Sequence, residues 1–441
     1  MRFVSARGVT ASLVPWATSL GMLALLVLMG TQSVVAAIGA IGLAGMIALL
    51  VCFDLTQAGT ILVTLAMLLA PLNDLRLGES YVTASDILFF LGFAILTPTL
   101  LRRRFALPST FVVGLGILLV MGAIASVASP IPAVSASQVA RLLIGAFLLP
   151  IFLMIWRPPT PVIVRFAAAY IFGTVFSVFW GLLQGPVPGD ARYVGFTYHP
   201  NYLGLSCLLA ATLVPYVTAM VAPGYRWIYW FSGLIAAYGV YISGSRAALL
   251  VLIMIIVIYP FVEGSIRAVG AVMLGVAGVL AFSGKLITED SNNALGRLFG
   301  SGSATGSDQE RRQILSEAWH QFLEHPLLGN GFDGGIGSHN IYLQVAVAVG
   351  VFGLVGYLMI MWSAIRPLFW QGTAHRLAYP VLAYAAIGPL TNTLWERMIW
   401  SVVALCFVAN LDGPDADDPP DTEDEPVASR RDETAHMRSS G

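Results

Sequence analysis

Residues 341–363 read IYLQVAVAVGVFGLVGYLMIMWS and directly follow the polar sequence Ser338-His339-Asn340. An apolar run of about 20 residues is long enough to cross the hydrocarbon core of a membrane as a helix. An imidazole that lies where a loop enters such a helix sits at the water boundary, where it can accept or donate a proton. The junction therefore predicts a membrane helix that begins beside a candidate catalytic histidine, His339.

Apolar runs of this kind continue along most of the chain. Hydrophobic residues make up 57% of the 441 residues and charged residues 11%, and the mean hydropathy is +0.79. Soluble domains do not have this balance, so we predict an all-α polytopic membrane protein with about 12 to 14 transmembrane helices. The predicted segments are 10–29, 33–53, 57–72, 82–101, 109–128, 137–156, 162–184, 201–221, 226–243, 246–262, 266–283, 341–363, 376–391 and 397–411. The short segments 57–72, 376–391 and 397–411 are equally consistent with re-entrant or half helices.

The distribution of arginine predicts the orientation of these helices. The formal net charge of -1 gives no reason to expect a nucleic-acid partner. With the N-terminus in the cytoplasm, most arginines fall on cytoplasmic connections, as the positive-inside rule expects. These are Arg102, Arg103, Arg104, Arg157, Arg165, Arg226, Arg267, Arg366 and Arg376. The same threading places the long loop 284–340 outside the membrane.

The chain outside the predicted helices divides into a large external loop and an acidic tail. Residues 1–411 are predicted to form a single transmembrane domain, with 284–340 as its extracytoplasmic loop. Within that loop, Ser307 and Glu310 have the spacing of a capping box, and the apolar residues that follow recur at helical spacing. We predict an amphipathic helix over about 309–325 on the outer membrane surface. Residues 412–441 are rich in acids and prolines and predict a disordered cytoplasmic tail.

A few cations break the positive-inside pattern and fall on the predicted outer face. They are Arg192, Arg246, Arg311, Arg312 and Arg397. A guanidinium binds phosphate oxygens in two-point fashion, and predicted helix N-termini on this face add positive dipole ends. An arginine at a helix end can also simply reach lipid headgroups, and for each residue taken alone both interpretations stay open. Arg192 and Arg246 favour anion binding because both lie in polar, glycine-containing helix entrances.

The outer face offers a base but no obvious metal site. A helix N-terminus disfavours the imidazolium, so we expect His339 to be neutral and able to accept a proton, although it could also serve only to hydrogen-bond the loop. His199 is expected to orient the turn before Asn201 rather than to catalyse. Asp308 and Asp333 are isolated acids, and no metal-ligand spacing occurs on this side. We therefore expect chemistry without a metal or another cofactor.

These motifs together resemble the O-antigen ligase and O-antigen polymerase superfamily of membrane glycosyltransferases. The resemblance covers about 190–365, and its motifs are specific in combination and weak singly. The matching sequences are Gly195-Phe196-Thr197-Tyr198-His199-Pro200-Asn201, Ser243-Gly244-Ser245-Arg246, Arg312 through Trp319, His325-Pro326-Leu327-Leu328-Gly329-Asn330-Gly331-Phe332, and His339-Asn340 with Gly350 and Gly353 beyond. The ligases of this superfamily have twelve spans.

The resemblance implies a GT-C-like membrane enzyme of the cytoplasmic (inner) membrane with its active site on the extracytoplasmic side. It would transfer a glycan, with inversion and without a metal, from an undecaprenyl-diphosphate carrier to an acceptor hydroxyl. The implied partners are this lipid-linked donor, a lipid or glycan acceptor, and membrane lipids. Ligases, polymerases and protein O-oligosaccharyltransferases share the motifs, so the acceptor stays open.

The resemblance also implies roles for particular residues. His339 would be the general base, and Arg192 and Arg246 would hold the donor diphosphate. Arg312 and Arg397 are weaker candidates for the same anion. His199, Asn201 and Asn340 would support these groups.

A multi-spanning transporter is the alternative of a different class. Transporters place ionisable residues near the bilayer midplane, commonly in broken helices. Here the predicted spans contain almost no acids, and the polar residues gather at one external mouth. The sequence therefore favours the enzyme.

Overall fold

The computed structural model of the protein describes residues 42, 45–76, 82–103, 107–267, 269–270, 273–275, 292–298, 304–332, 338–370 and 372–409. The regular elements within these ranges are helices. The described residues also contain one isolated β-bridge, between Arg76 and Thr83. The predicted first span at 10–29, most of the predicted span at 266–283 and the predicted tail 412–441 lie outside the described residues.

Thirteen α-helices within the described ranges are numbered here in chain order. They are α1 Leu55–Leu69, α2 Ala84–Leu100, α3 Ser109–Ala128, α4 Pro132–Trp156 with a π-helical turn at Leu143–Phe147, α5 Thr160–Gln184, α6 Pro200–Met220, α7 Arg226–Ile242, α8 Arg246–Val262, α9 Ala294–Leu298, α10 Ala304–Glu324, α11 Ile341–Ile365, α12 Ala378–Ile387 and α13 Arg397–Ala409.

Five of the described helices are long and apolar enough to cross a membrane: α3, α4, α5, α6 and α11. The shorter apolar helices are α1, α2, α8 and α13. The prediction of an all-α polytopic membrane protein is confirmed. The half-helix interpretation fits α12, because its ten residues rise only about 15 Å, half the thickness of a hydrocarbon core.

The core of the bundle is built around α6 and α13. Every residue of α13 from Met398 to Ala409 is buried, and α6 is more fully buried than the other long helices. Among the outer helices, α3 runs along α11, where a Cβ added to Gly114 would lie 2.7 Å from the carbonyl oxygen of Gly356. Glycine at this crossing allows the two backbones to touch, the usual way in which membrane helices gain close packing.

Helix α11 is broken at Gly350, and the segment 326–331 fills the break. Gly350 has φ +69° and ψ -177°, a conformation that essentially only glycine adopts. The backbone N–H groups of Asn330 and Gly331 donate to the carbonyls of Val347 and Ala348, both at 2.9 Å, and the N–H of Val351 donates to Pro326 O at 2.9 Å. Backbone groups that the break would leave unpaired are thereby satisfied.

The segment 326–331 is also tied to the start of α4. The N–H of Phe332 donates to Ser135 Oγ at 2.9 Å, and Ser135 Oγ in turn lies 2.9 Å from Ser126 Oγ. A Cβ on Gly331 would lie 2.6 Å from Ser135 Oγ. The glycines at 329 and 331 therefore serve close packing, and the chain that leads toward His339 starts from a fixed point.

The predicted amphipathic helix is present as α10, which packs against α11 and contains the fully buried Ala318. Apolar residues of the same helix, Trp319 and Leu323, are about half exposed. The start of the helix was predicted wrongly. The helix already begins at Ala304, so Ser307 lies inside α10 rather than at its N-cap position.

We predict that Gly350→Ala destabilises the protein by about 3 kcal/mol or more, since alanine does not tolerate this backbone conformation and its Cβ would lie 2.0 Å from Leu327 O. The measurement is the apparent melting temperature of the purified protein. Gly116→Ala in α3 is the control, because a Cβ there meets nothing within 4 Å. Equal melting temperatures of the two variants would contradict this account of the break.

Candidate functional site

Loops that are far apart in sequence meet at one end of the bundle, called the site end below. The N–H of Asp74 donates to Phe196 O at 3.0 Å, and the rings of Phe332 and Trp395 lie 5.3 Å apart. The N–H of Tyr193 donates to Ile242 O at 3.3 Å. The loops before α2, α6, α8 and α13 and the segment that leads to His339 therefore share one surface.

Arg192 lies at the centre of this surface and is only 6% exposed. Its Nε donates to Ser243 O at 2.9 Å, and one terminal nitrogen donates to Asn201 Oδ1 at 2.7 Å. The other terminal nitrogen lies 3.6 Å from Asp190 Oδ2. One guanidinium therefore links the 185–199 turn to the start of α6 and to the turn between α7 and α8.

The turn between α7 and α8 is shaped to admit guanidinium groups. Gly244 has φ +68°, and a Cβ there would lie 2.7 Å from Arg192 Nε. The carbonyl of Gly244 accepts from a terminal nitrogen of Arg297 at 2.8 Å, and Arg297 is 5% exposed. Arg246 begins α8 two residues later, so the Ser-Gly-Ser-Arg motif brings three arginines to one place.

The electrostatics of this cluster favour an anionic ligand. Burial, together with the positive charges of Arg297, Arg311 and Arg246 and against the opposing Asp190, lowers the pKa of Arg192 to about 10. Arg192 stays protonated at neutral pH, so buried like charges face one another. An anion in their midst would relieve that repulsion, and the N-termini of α6 and α8 point their positive dipole ends to the same side.

His339 lies directly before α11 in a conformation that is uncommon for residues other than glycine. Its φ is +48°, between Ser338, whose Oγ donates to Asn340 O at 2.8 Å, and Asn340, whose Oδ1 accepts from Leu343 N at 3.1 Å and caps the helix. The half-buried position of His339 lowers its pKa, Arg311 lowers it further, and Glu310 opposes. The imidazole is therefore neutral at neutral pH and able to accept a proton.

Arg311 connects the arginine cluster with His339; the sequence analysis named it among the outer-face cations but gave it no role at the site. Its charge lowers the pKa of Arg192, of His199 and of His339. The sequence contained a signal for this, because Arg311 lies seven residues before the buried Ala318 and thus on the inner face of α10. Arg297 was missed entirely, because the short helix α9 around it offered no comparable pattern.

Arg312, which the sequence analysis did select, lies on a neighbouring face of α10. It borders a largely apolar cleft of about 610 Å³ between α10 and α11, together with Leu315, Trp319, Phe322, Asn340 and Tyr342. A hydrocarbon chain fits the lining of this cleft, and Arg312 and Asn340 supply polar groups at its edge.

His199 and Asn201 form the entrance of α6. The N–H of Asn201 donates to His199 Nδ1 at 3.1 Å, and Thr197 Oγ1 donates to His199 O at 3.0 Å. Burial lowers the pKa of His199, and the charge of Arg192 adds to this effect. This is the geometry of a histidine that orients a turn, while Asn201 positions Arg192.

Arg397, the remaining arginine selected from sequence, stands at the start of α13. Its Nε lies 2.9 Å from Asp86 Oδ1 of α2. The positive charges that act on Arg192 are those of Arg297, Arg311 and Arg246, so the structure groups these three around Arg192 and pairs Arg397 with an acid of its own.

Among the described residues, no group of three or more His, Cys, Asp or Glu side chains could hold a metal ion. Asp333 and the side chain of Asp308, the two acids singled out from the sequence, lie outside the described part of the chain. Metal independence therefore stays a prediction.

The bundle and the arginines at its site end define a polytopic all-α membrane protein in which a cluster of cations lies beside a neutral histidine. Residues 231–358 match the family model described as O-antigen ligase, which confirms the resemblance to the O-antigen ligase and polymerase superfamily. The matched region contains Arg246, Arg312 and His339, while Arg192 and Arg397 lie outside it. No curated protein matches the chain.

We predict opposite shifts in the pKa of His339 for two neighbouring substitutions. Arg311→Gln removes a positive charge and raises this pKa toward its ordinary value of about 6.5, whereas Glu310→Gln removes a negative charge and lowers it. The measurement is the pH midpoint of carbethoxylation at His339, read by mass spectrometry, because the reagent attacks only the neutral imidazole. Shifts in the same direction, or none, would show that α10 does not act on this residue.

Proposed function

We propose that the protein transfers a glycan from an undecaprenyl-diphosphate-linked donor to an acceptor hydroxyl, with inversion and without a metal. The observation that carries the proposal is the cluster of the buried Arg192 and Arg297 with the partly buried Arg246, joined through Arg311 to a neutral His339, in and beside a region that matches the O-antigen ligase family.

The chemistry needs two kinds of group, and the site end holds both. His339 takes the proton from the acceptor hydroxyl while that oxygen attacks the anomeric carbon of the donor sugar. The bond between this carbon and the diphosphate oxygen breaks on the opposite side, which inverts the configuration. The diphosphate leaves with the bonding electron pair, and the arginines stabilise the charge that develops on it.

The surroundings of the site suit a lipid-linked donor. The apolar cleft between α10 and α11 has its polar edge at Arg312 and Asn340, and Asn340 follows His339 directly. A polyprenyl chain in this cleft would keep the donor in the membrane while its diphosphate reaches the arginines. This arrangement would make the hydrocarbon part of the substrate a determinant of binding.

We place the site end on the outer face of the cytoplasmic membrane. The opposite end of the bundle carries Arg103, Arg157, Arg226 and Arg366, which is the pattern expected of cytoplasmic connections. Donor and acceptor would then meet where surface glycans are assembled. The geometry accepts a ligase or a polymerase, since both need the same base and the same diphosphate site.

The break in α11 does not favour the alternative that the protein is a transporter. Transporters use the free backbone groups of broken helices to hold ions. Here the carbonyls of Val347 and Ala348 already accept hydrogen bonds from Asn330 and Gly331. The break serves to position the segment before His339.

The decisive experiment mixes the purified protein with a lipid-diphosphate glycan and candidate acceptors, with and without EDTA. His339→Ala should lower the transfer rate about 10²- to 10⁴-fold, the usual effect of removing a positioned base. His320→Ala, an exposed histidine of α10, is the control and should transfer normally. Near-normal turnover by His339→Ala would remove this residue from the mechanism, and loss of activity in EDTA with rescue by magnesium would refute metal independence.

Arg192→Lys and Arg246→Lys should each weaken donor binding about tenfold, because an ammonium group does not reproduce the two-point contact of a guanidinium with phosphate. The measurement is the Kd for the lipid diphosphate. Arg226→Lys at the opposite end of the bundle is the matched control and should bind normally. Unchanged affinity in both site variants would show that these arginines only anchor the fold.

A further inference from the structure

A second polar cavity lies at the site end and takes no part in the mechanism above. We call it the Asn73 pocket; its volume is about 80 Å³, and its walls include Asn73, Arg76, Tyr198, Trp395, Glu396 and Arg397. These residues come from the loop before α2, the turn before α6 and the segment before α13, so the pocket exists only in the folded bundle.

The side chain of Asn73 lacks hydrogen bonds that a ligand could supply. Asn73 is 6% exposed, and within the described part of the chain neither its Oδ1 nor its Nδ2 has a hydrogen-bond partner. A buried polar group without a partner is costly, and native structures rarely leave one. The amide needs a ligand that both donates and accepts hydrogen bonds, as a sugar hydroxyl does.

The other walls suit a sugar ring. Tyr198 Oη donates to Glu396 Oε1 at 2.7 Å, and the guanidinium of Arg76 lies 4.1 Å from the centroid of the Tyr198 ring. These contacts fix a carboxylate and a guanidinium around one small space. The guanidinium covers a face of the Tyr198 ring, so the carboxylate and the guanidinium, rather than the ring, would bond the hydroxyls of a sugar.

The pocket shares a wall residue, Arg397, with an apolar groove. This groove, of about 470 Å³, lies between α2 and α4 and is lined by Phe89, Phe90, Phe93, Leu148 and Phe152, with the Asp86–Arg397 ion pair at the junction. Phe90 is 73% exposed, as expected of a side chain that meets lipid. A molecule with a sugar head and a hydrocarbon tail matches the two spaces together.

The Asn73 pocket borders both parts of the proposed active site. Tyr198 in its wall precedes His199 at the entrance of α6, and Trp395 packs on Phe332, which ends the segment fixed to α4 ahead of His339. A sugar in the pocket would therefore lie next to the entrance of α6, which holds Arg192, and next to the start of the segment that leads to His339. The groove between α2 and α4 is separate from the cleft between α10 and α11 that we assign to the donor.

We propose that the Asn73 pocket and its groove bind the acceptor as a lipid-linked sugar, a second amphiphile besides the diphosphate donor. The proposal rests on the proposed function. In this proposal Arg397 binds the acceptor rather than the donor diphosphate, and the hydrocarbon tail of the acceptor contributes to its binding.

The first test is direct binding in lipid nanodiscs, which needs no turnover. The probe is a fluorescent alkyl disaccharide, compared with the same alkyl chain carrying phosphate in place of sugar. Asn73→Leu keeps the size of the side chain and removes its polar atoms, so it should weaken binding of the alkyl disaccharide about tenfold and leave donor lipid diphosphate binding unchanged. Equal binding of the alkyl phosphate, or unchanged binding in Asn73→Leu, would overturn the proposal.

A second variant tests the groove. Phe90→Ala should weaken binding of the alkyl disaccharide but not of the free disaccharide, while Phe261→Ala, which removes an equally exposed phenylalanine from α8, should change neither. Equal effects of Phe90→Ala and Phe261→Ala would rule out the groove as the site of the tail.

Kinetics separate the acceptor from the donor. With transfer established, Asn73→Leu should raise the acceptor KM about tenfold with kcat and the donor KM unchanged. A rise in the donor KM instead, or a fall in kcat alone, would contradict the assignment to the acceptor. If the wild-type protein binds the alkyl disaccharide through Asn73 yet transfers no glycan, the pocket stands and the proposed reaction fails.

Discussion

The buried guanidinium of Arg192 is the interaction on which the site end depends. Removing a charged group from water is unfavourable unless the protein supplies hydrogen bonds and a counter-charge. Ser243 O, Asn201 Oδ1 and Asp190 supply them, and each belongs to a different part of the chain. The arginine therefore fixes the relative position of the 185–199 turn, α6 and α8 while its charge remains able to attract an anion.

A second constraint acts on the backbone around α11. The break at Gly350 creates donors and acceptors that only an external strand of chain can satisfy, and 326–331 does so. His339 thus lies between two anchored elements. These are the segment 326–331, which is hydrogen-bonded to α11, and the capped start of α11. Its left-handed backbone conformation is stabilised by these surroundings rather than by its own preference.

Two apolar spaces flank the site end, and each has an arginine at its polar edge: Arg312 for the cleft between α10 and α11, and Arg397 for the groove between α2 and α4. Such a pairing of charge with an apolar surface suits amphiphiles. It also explains physically why an enzyme of this kind would be embedded in the membrane, because both proposed substrates would carry hydrocarbon that water excludes.

The sequence by itself determined the all-α membrane architecture, because apolar length is a local property, and the described helices α3, α5 and α6 agree with the predicted segments within about two residues. It also drew attention to Arg192 and His339 through local motifs. The spacing of seven residues put Arg311 on the same face of α10 as Ala318, but only the tertiary structure decided that this face packs inward and so brings Arg311, rather than Arg312, toward both of them. The unpartnered amide of Asn73 was likewise invisible in sequence, because its surroundings include segments more than 100 residues away, around Tyr198 and Trp395, that meet it only when the helices pack.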